Sequence, residues 1–158
     1  DLFLKACARR KILAATAESC TGGLIIAAMT DIPGSSSMVD RGFVTYSNEA
    51  KQEMLGVSPV TLDAHGAVSA ETAREMAAGA LARSHAGIAL AVTGIAGPDG
   101  GSEEKPVGLV WFGIATTGKP VLVESQVFDN RGRDYIRRKT VVHALQMGLK
   151  ALGDQAAD

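Results

Sequence analysis

Two short apolar runs, each followed directly by a glycine-rich loop, constrain the fold of this chain more than any other feature. Residues 12–17 and 88–93 contain no charged side chain, which is typical of strands buried in the centre of a sheet. Residues 18–23 and 94–108 follow them as loops rich in glycine and small polar residues. Buried strands that lead into such loops indicate a layered α/β protein, in which ligands bind near the carboxyl ends of the strands.

The rest of the chain predicts how strands and helices alternate. Further strands are expected at residues 42–46, 109–115 and 121–128, and helices at residues 2–10, 24–29, 48–55, 70–83 and 133–152. The link between the last two strands is too short for a parallel crossover, so that pair should be antiparallel. We therefore expect a single domain over residues 1–158, a three-layer αβα sandwich around a mixed, mostly parallel five-stranded sheet.

Composition and charge exclude several classes of protein. Of the 158 residues, 46% are hydrophobic and 21% charged, which excludes an intrinsically disordered chain. The 16 Lys and Arg against 17 Asp and Glu give a formal net charge of -1, so no general electrostatic basis exists for binding nucleic acid or a membrane surface. No apolar run is long enough to span a bilayer. Two cysteines are too few for a disulfide framework, which favours a cytoplasmic protein.

The residues that could hold a metal or act as a general base are scattered along the chain. His65, His85 and His143 have no acidic partner at a spacing that stands out, although any of them could serve as a base. No group of His, Cys, Asp and Glu has the spacing of metal ligands. We therefore expect no structural zinc or other metal site.

The loop after residues 88–93 is the most informative segment. Thr93 supplies a hydroxyl at the end of the strand, and Gly94, Gly97, Gly100 and Gly101 let backbone N–H groups converge on an anion. The loop is neither a Walker A motif nor a dinucleotide-binding turn, because the glycine spacing differs and no Gly-Lys-Ser/Thr follows. An anion or oxyanion pocket is one explanation of these glycines, and tight turns alone are the other.

Two nucleophiles are consistent with the sequence. Ser36 lies in a Gly-Ser-Ser-Ser turn, and Lys51, with Tyr46 as a relay, could take its proton if burial or nearby cations kept the amine neutral. A capping serine and a solvated lysine are the more common roles for such residues. Cys20, which precedes a predicted helix, is the competing nucleophile, although a buried structural cysteine is the commoner fate.

The predicted last helix concentrates positive charge. Residues 131–150 include six Lys or Arg and one Asp. Arg133 and Arg137 lie one turn apart near the positive end of the helix dipole, which suits a phosphate group. A solvated basic face explains them equally well, but with a net charge near zero elsewhere a small phosphorylated ligand fits better than a polynucleotide.

Three motifs, in this order, resemble the CinA C-terminal domain family. They are TAESCTGG at residues 16–23, GFVTYSNEAK at 42–51 and GIAGPDGGSEEKPVG at 94–108, and the resemblance extends over nearly the whole chain. Family members that consist of this domain alone are bacterial nicotinamide-nucleotide amidases. The resemblance therefore implies hydrolysis of the carboxamide of nicotinamide mononucleotide to nicotinate mononucleotide and ammonia, in pyridine-nucleotide salvage and without a cofactor.

The resemblance also implies roles for individual residues. It makes Ser36 the nucleophile, Lys51 its general base and Tyr46 a polar partner that helps to position them. Residues 130–133 depart from the family's usual approach to the last helix, which leaves open whether Arg131 binds the phosphate in place of an arginine of that helix. The residues expected to contact the substrate are Ser19, Thr93, Gly94, Gly97, Gly100, Gly101, Arg133 and Arg137.

Two alternatives stay open at this stage. Cys20 could be the nucleophile, as in other amidases. The chain could also be a non-catalytic nucleotide-binding or protein-interaction module, since relatives are linked with competence and DNA damage. A dimer is a further expectation, because the apolar residues 24–26 could serve an interface as easily as the core. No nucleic-acid or membrane partner is expected.

Overall fold

Residues 1–153, which the computed structural model describes, form a five-stranded sheet between two layers of helices. The strands are β1 (Ala14–Glu18), β2 (Val39–Val44), β3 (Ile88–Gly94), β4 (Leu109–Thr116) and β5 (Leu122–Val127). The helices are α1 (Leu2–Arg10), α2 (Leu24–Thr30), α3 (Asn48–Leu55), α4 (Pro59–His65), α5 (Ala70–Ala82) and α6 (Arg133–Ala151). None of these helices combines the length and apolar character needed to cross a membrane. The predicted three-layer α/β architecture is confirmed.

The sheet has the strand order β2-β1-β3-β4-β5. β1 pairs in parallel with both β2 and β3, and Glu18 lies opposite Val44 on one side and Val92 on the other. β4 is antiparallel to both β3 and β5, so four of the five strands run in one direction. The mixed, mostly parallel sheet and its antiparallel last pair are therefore as predicted. The register aligns the carboxyl ends of β1, β2 and β3 at one edge.

Helices α1, α2 and α6 cover the face of the sheet that carries the larger side chains. Leu90 and Phe112 point to this face, where they belong to one buried cluster with Phe3 and Ile136. All four side chains are at most 3% exposed. At roughly 25 cal/mol per Å² of apolar surface, each contributes about 1.5–3 kcal/mol to folding, so this cluster holds α6 firmly against the strands.

The opposite face is lined by small residues and lies directly against α5. Ala89, Ala91 and Ala115 are fully or almost fully buried there, in one cluster with Ala77. A Cβ atom at Gly113 would lie only 2.5 Å from the carbonyl oxygen of Ala73. Small side chains on both surfaces thus allow a close helix-to-sheet contact, which explains the high content of alanine and glycine.

Serine caps set the beginnings of the helices near the carboxyl edge. Ser69 accepts a hydrogen bond from Thr72 N at 3.2 Å and begins α5, as the sequence predicts. Ser47 accepts one from Ala50 N at 3.0 Å and begins α3, whose first turn carries Lys51. Two details differ from the prediction: β2 begins and ends earlier than residues 42–46, and the short helix α4 was not expected.

Candidate active site

The side chain of Lys51 is buried beside the hydroxyl of Ser19. Lys51 Nζ donates to Ser19 Oγ at 2.9 Å, to the carbonyl oxygen of Thr45 at 3.0 Å and to that of Tyr46 at 3.2 Å. Lysine side chains are almost never fully buried, yet this one is 1% exposed. The pairing of a buried amine with a hydroxyl is the arrangement that lets an amine act as the base for a serine.

Burial changes the acidity of the Lys51 amine. Desolvation lowers the pKa of Lys51 below the ordinary lysine value, and the neighbouring Cys20 opposes this with a weaker effect. No carboxylate among residues 1–153 forms an ion pair with the amine. No described carboxylate therefore stabilises the ammonium form, and burial makes the neutral form needed to accept a proton more accessible.

Parallel pairing of β1 with β2 brings Ser19 and Lys51 together across 32 residues of sequence. Thr45 N donates to Glu18 O at 2.9 Å, which continues the β1–β2 ladder just beyond the end of β2. Ser19 N donates to Val92 O at 3.1 Å, which holds Ser19 against β3. The chain then turns into α3, and the side chain of Lys51 folds back over the ends of both strands.

Ser36 lies elsewhere. It is exposed on the one-turn 3₁₀ helix Ser35–Ser37, immediately before β2, whereas Lys51 lies in the helix after β2. The six residues of β2 between them correspond to roughly 20 Å of extended chain. The expectation that Ser36 shares a proton with Lys51 is therefore wrong. A loop that leads into a parallel strand lies at the opposite edge of the sheet from a loop that leaves one.

The Ser19–Lys51 pair forms part of the wall of a cavity of about 210 Å³ at the carboxyl edge. Segments after β1, β2 and β3, the loop before α5 and the first residue of α6 enclose it. Six of the residues predicted for the site line this cavity: Ser19, Tyr46, Lys51, Thr93, Gly94 and Arg133. The others in its wall are Cys20, Asn48, Ala67, Val68 and Ala96.

Tyr46 and Arg133 form one side of the cavity mouth. Arg133 Nη2 donates to the Tyr46 hydroxyl at 3.1 Å, and Arg133 Nη1 donates to Gly97 O at 2.8 Å. Both side chains are exposed, the tyrosine at 63%. Tyr46 contacts Lys51 through its carbonyl oxygen, whereas its phenol is bound to Arg133. Tyr46 therefore stands beside the Ser19–Lys51 pair and links it to a cation.

The glycine loop after β3 contributes less to the cavity than the sequence suggests. Thr93 Oγ1 donates to Ala67 O at 2.8 Å, so this hydroxyl fixes the loop before α5. Gly97 takes part through its carbonyl oxygen, which accepts from Arg133. Gly100 and Gly101 line a separate open groove further along the loop and are absent from the wall that contains Ser19. The prediction that they contact the same ligand has no support in this geometry.

The two other candidate arginines near the start of α6 do not line the cavity. The guanidinium carbon of Arg131 lies 4.6 Å from the centre of the Tyr135 ring. Arg137 Nε donates to Cys20 O and Arg137 Nη2 to Thr21 O, each at 3.1 Å. Neither residue lines the cavity, so the expected pairing of Arg133 with Arg137 around one phosphate is not formed.

Cys20 and the histidines have properties that do not suit catalysis here. Cys20 is 6% exposed, and burial raises the pKa of its thiol to about 11. None of the histidines lines the cavity. His143 Nε2 lies 2.6 Å from Glu124 Oε1, on the side of the sheet formed by β5, and His65 Nδ1 lies 3.7 Å from Glu71.

Sequence reasoning missed the role of Glu18. Its carboxylate is fully buried and accepts hydrogen bonds from Thr16 Oγ1 at 3.1 Å and Thr21 Oγ1 at 2.6 Å. It also accepts from the backbone N–H groups of Ile25 and Ile26 at 2.8 and 3.0 Å, in the first turn of α2. Glu18, at the end of β1, thereby binds both Thr21 within the turn and the first turn of α2 that follows it. A lone acid that ends an apolar strand just before a helix is the signal that could have revealed it.

Comparison with known proteins supports the same assignment of the fold. The CinA C-terminal domain profile matches residues 1–152. Nicotinamide-nucleotide amidohydrolase PncC of Enterobacter agglomerans is 56% identical over 134 residues, which cover 85% of this chain and 81% of that protein. A putative competence-damage inducible protein of Caldanaerobacter subterraneus is 48% identical over 158 residues, 100% of this chain but only 38% of that longer protein.

A solved structure has the same architecture throughout. The competence/damage inducible protein CihA from Agrobacterium tumefaciens superposes with a TM-score of 0.90 at 50% sequence identity. The superposition covers 98% of this chain and 97% of that one. On the profile match, the identities and this structural agreement, the chain belongs to the CinA C-terminal domain family.

Proposed function

We propose that the chain is a nicotinamide-nucleotide amidohydrolase that converts the carboxamide of nicotinamide mononucleotide to a carboxylate and releases ammonia. The observation that carries this proposal is the buried Ser19–Lys51 hydrogen bond of 2.9 Å in a cavity at the carboxyl edge of the sheet. The identity of 56% to a relative named for this activity supports the choice of substrate.

The first half of the reaction forms an acyl-enzyme. Neutral Lys51 accepts the proton of Ser19 while Oγ bonds to the carboxamide carbon, and the electrons of the C=O bond move to oxygen. The tetrahedral intermediate collapses as its C–N bond breaks and the ammonium of Lys51 gives its proton to the leaving nitrogen, which departs as ammonia. The nicotinoyl group of the nucleotide is then esterified to Ser19.

Water completes the cycle. Lys51, neutral again, accepts a proton from water as the water oxygen attacks the ester carbon. Collapse of the second tetrahedral intermediate breaks the bond to Ser19 Oγ, which recovers its proton from Lys51. The products are the nucleotide carboxylic acid, which loses its proton to solvent as the carboxylate, and a regenerated Ser19–Lys51 pair, so one amine serves both half-reactions.

The substrate itself favours this chemistry. The nicotinamide ring of the nucleotide is an N-glycosylated pyridinium and carries a positive charge. A like charge near Lys51 disfavours its ammonium form and adds to the effect of burial on the pKa. The ring also withdraws electrons from the carboxamide carbon, which makes that carbon more reactive towards the weak nucleophile serine.

Arg133 is the proposed phosphate ligand. It lines the cavity mouth and is exposed, unlike the buried pair deeper in the site. Its guanidinium is held in place by Gly97 O and the Tyr46 hydroxyl, which leaves further N–H donors for the phosphate oxygens. This arrangement supports a binding mode in which the reacting carboxamide points towards Ser19 and the phosphate towards solvent.

Ammonia release from nicotinamide mononucleotide tests the proposal. Wild type should release ammonia, and Ser19→Ala should reduce kcat by about 10³-fold or more, because the nucleophile is removed. Ser36→Ala is the matched control and should keep wild-type kcat, since Ser36 lies at the opposite edge of the sheet. No ammonia from the wild type would favour the non-catalytic module. Loss of activity in Ser36→Ala alone would overturn the assignment of the nucleophile.

A further inference from the structure

In the turn that carries Ser19, three consecutive carbonyl groups accept hydrogen bonds, whereas two N–H groups donate to no other described residue. Ser19 N donates to Val92 O and Gly22 N to Ser19 O, each at 3.1 Å, so residues 19–22 form a β-turn. Within residues 1–153, the N–H groups of Cys20 and Thr21 donate to no other residue, and the Cys20 N–H faces its own sulfur atom. Cys20 lies in the cavity wall beside Ser19, whereas Thr21 is fully buried. The Cys20 N–H is therefore the donor next to the nucleophile that no other described residue occupies.

Arg137 holds this turn from the side of α6. It donates to Cys20 O and to Thr21 O, each at 3.1 Å, although 117 residues separate it from Cys20. Gly22 N holds the preceding carbonyl, that of Ser19. A trans peptide bond holds its C=O and N–H in one plane with the two groups pointing in opposite directions. Arg137 therefore fixes the directions of the N–H groups of Thr21 and Gly22, and it reaches the Cys20 N–H through the bond from Gly22 N to Ser19 O.

We propose that the Cys20 N–H is an oxyanion donor of the amide hydrolysis and that Arg137 is the positioning residue that aims it. The inference rests on the proposed function. When a nucleophile lies on a turn between a strand and a helix, the N–H of the next residue is adjacent to the oxygen on which negative charge develops. As Ser19 Oγ bonds to the carboxamide carbon, the electron pair that moves to the carbonyl oxygen is stabilised by this N–H.

Arg137 is committed to this role rather than to binding the phosphate of the substrate. Its guanidinium is half-buried, spans two consecutive carbonyl groups with two parallel donors and does not line the cavity. A phosphate on Arg137 would compete with both carbonyl groups and release the turn. Arg133, one turn earlier on α6, is exposed at the cavity mouth, and its hydrogen bonds go to Gly97 and Tyr46.

The effect of losing Arg137 should fall on turnover. Removing an oxyanion donor reduces kcat by about 10²–10³-fold, and a donor that is misaligned rather than removed loses part of this effect. We expect kcat to fall about 10–100-fold in Arg137→Gln, with KM unchanged within about twofold. The kcat of Arg137→Lys should lie between that of Arg137→Gln and that of the wild type, because an ammonium group cannot span both carbonyl groups in one plane.

Kinetics with two substrates separate positioning from phosphate binding. Nicotinamide riboside has the same pyridinium carboxamide and no phosphate, so Arg137→Gln should lower kcat/KM by the same factor for the riboside and the nucleotide. The pH dependence of kcat, set by Lys51, should keep its midpoint. Arg138→Gln is the matched control, because Arg138 is exposed on the next position of α6 and, within residues 1–153, pairs only with Asp134. An unchanged kcat, or a loss confined to the phosphorylated substrate, would overturn the inference.

A structure of the wild-type protein provides the second test and needs no variant to fold. The aldehyde analogue of the nucleotide should add to Ser19 Oγ as a hemiacetal, whose oxygen should lie about 3 Å from Cys20 N. An oxygen that points elsewhere would overturn the inference while ammonia release by the wild type still upheld the proposed function. If the wild type released no ammonia, both the proposed function and the inference that rests on it would be contradicted.

Discussion

Lys51 Nζ lies 2.9 Å from Ser19 Oγ, and no carboxylate within residues 1–153 forms an ion pair with this amine. The other partners of Nζ are the backbone carbonyl oxygens of Thr45 and Tyr46. The folded protein thus buries an ionisable amine among neutral groups. Such an amine opposes folding while it is charged and becomes useful as a base once it is neutral.

Replacing Lys51 by Met should remove a pH-dependent destabilisation of the folded state. Because the pKa of Lys51 is lowered on folding, the unfolded chain binds more protons between that lowered pKa and the ordinary value of about 10.4. Below this window the destabilisation is fully present, and within it the free energy of unfolding of the wild type rises with pH. The wild type should therefore gain stability relative to Lys51→Met as pH increases.

Urea unfolding over a pH series measures this difference. The exposed Lys150→Met variant controls for the loss of a lysine at the surface. A stability difference between wild type and Lys51→Met that stays constant through the alkaline range would contradict a lowered pKa. Ammonia release by Lys51→Met should be lower than that of the wild type by about 10³-fold or more, because no other base among the described residues is hydrogen-bonded to Ser19 Oγ.

Both thiols should resist alkylation in the folded protein. Burial raises the pKa of Cys7 and of Cys20 to about 11 in each case. At pH 7.5 the thiolate fraction is then lower than in an ordinary cysteine by roughly two to three powers of ten. Mass spectrometry after treatment with iodoacetamide should find neither thiol modified until urea unfolds the chain. Rapid modification of Cys20 that substrate prevents would restore Cys20 as the candidate nucleophile.

The strands, the helices and most of the cavity wall could be predicted from the sequence because they depend on local patterns. The apolar runs at residues 12–17 and 88–93 mark the two central strands, and Ser69 marks the beginning of α5. The motifs identified Ser19 and Lys51 as members of one site. These features need only periodicity, caps and a recognisable segment of sequence.

The pairing of side chains could not be predicted in the same way. Ser36 and Ser19 both lie in turns with small residues, and only the strand directions decide which serine meets Lys51. Arg137 reaches the turn across 117 residues, a contact that exists only once α6 has packed against α2. Charge on a helix indicates that an arginine is present but leaves its target undetermined.

Glu18→Gln should destabilise the protein and impair turnover. The carboxylate accepts four hydrogen bonds in a fully buried position, and an amide would turn an NH₂ group towards some of those donors. A loss of about 2–4 kcal/mol in the free energy of unfolding is expected, from hydrogen bonds to a charged acceptor and a buried mismatch. Glu53→Gln, at an exposed position of α3, is the control for the chemical change alone. Equal stabilities of the two variants would contradict the anchoring role of Glu18.

Arg133→Gln should weaken binding of the phosphorylated substrate. A hydrogen-bonded contact with a charged group contributes about 1.5–3 kcal/mol, which corresponds to a rise in KM of roughly 10–100-fold. The same variant should change KM for nicotinamide riboside little, because the riboside has no phosphate. Steady-state kinetics on both substrates measure this difference. An equal rise in both KM values would show that Arg133 does not bind the phosphate.

Locating the acyl group during turnover tests the central claim most directly. Mixing the protein with nicotinamide mononucleotide, quenching in acid and digesting with trypsin should yield a modified peptide covering residues 12–41, which contains Ser19, Cys20 and Ser36 together. Fragmentation of that peptide in the mass spectrometer distinguishes the three positions. We predict the nicotinoyl nucleotide on Ser19 in the wild type and no adduct in Ser19→Ala, whereas an adduct on Cys20 or Ser36 would contradict the Ser19–Lys51 mechanism.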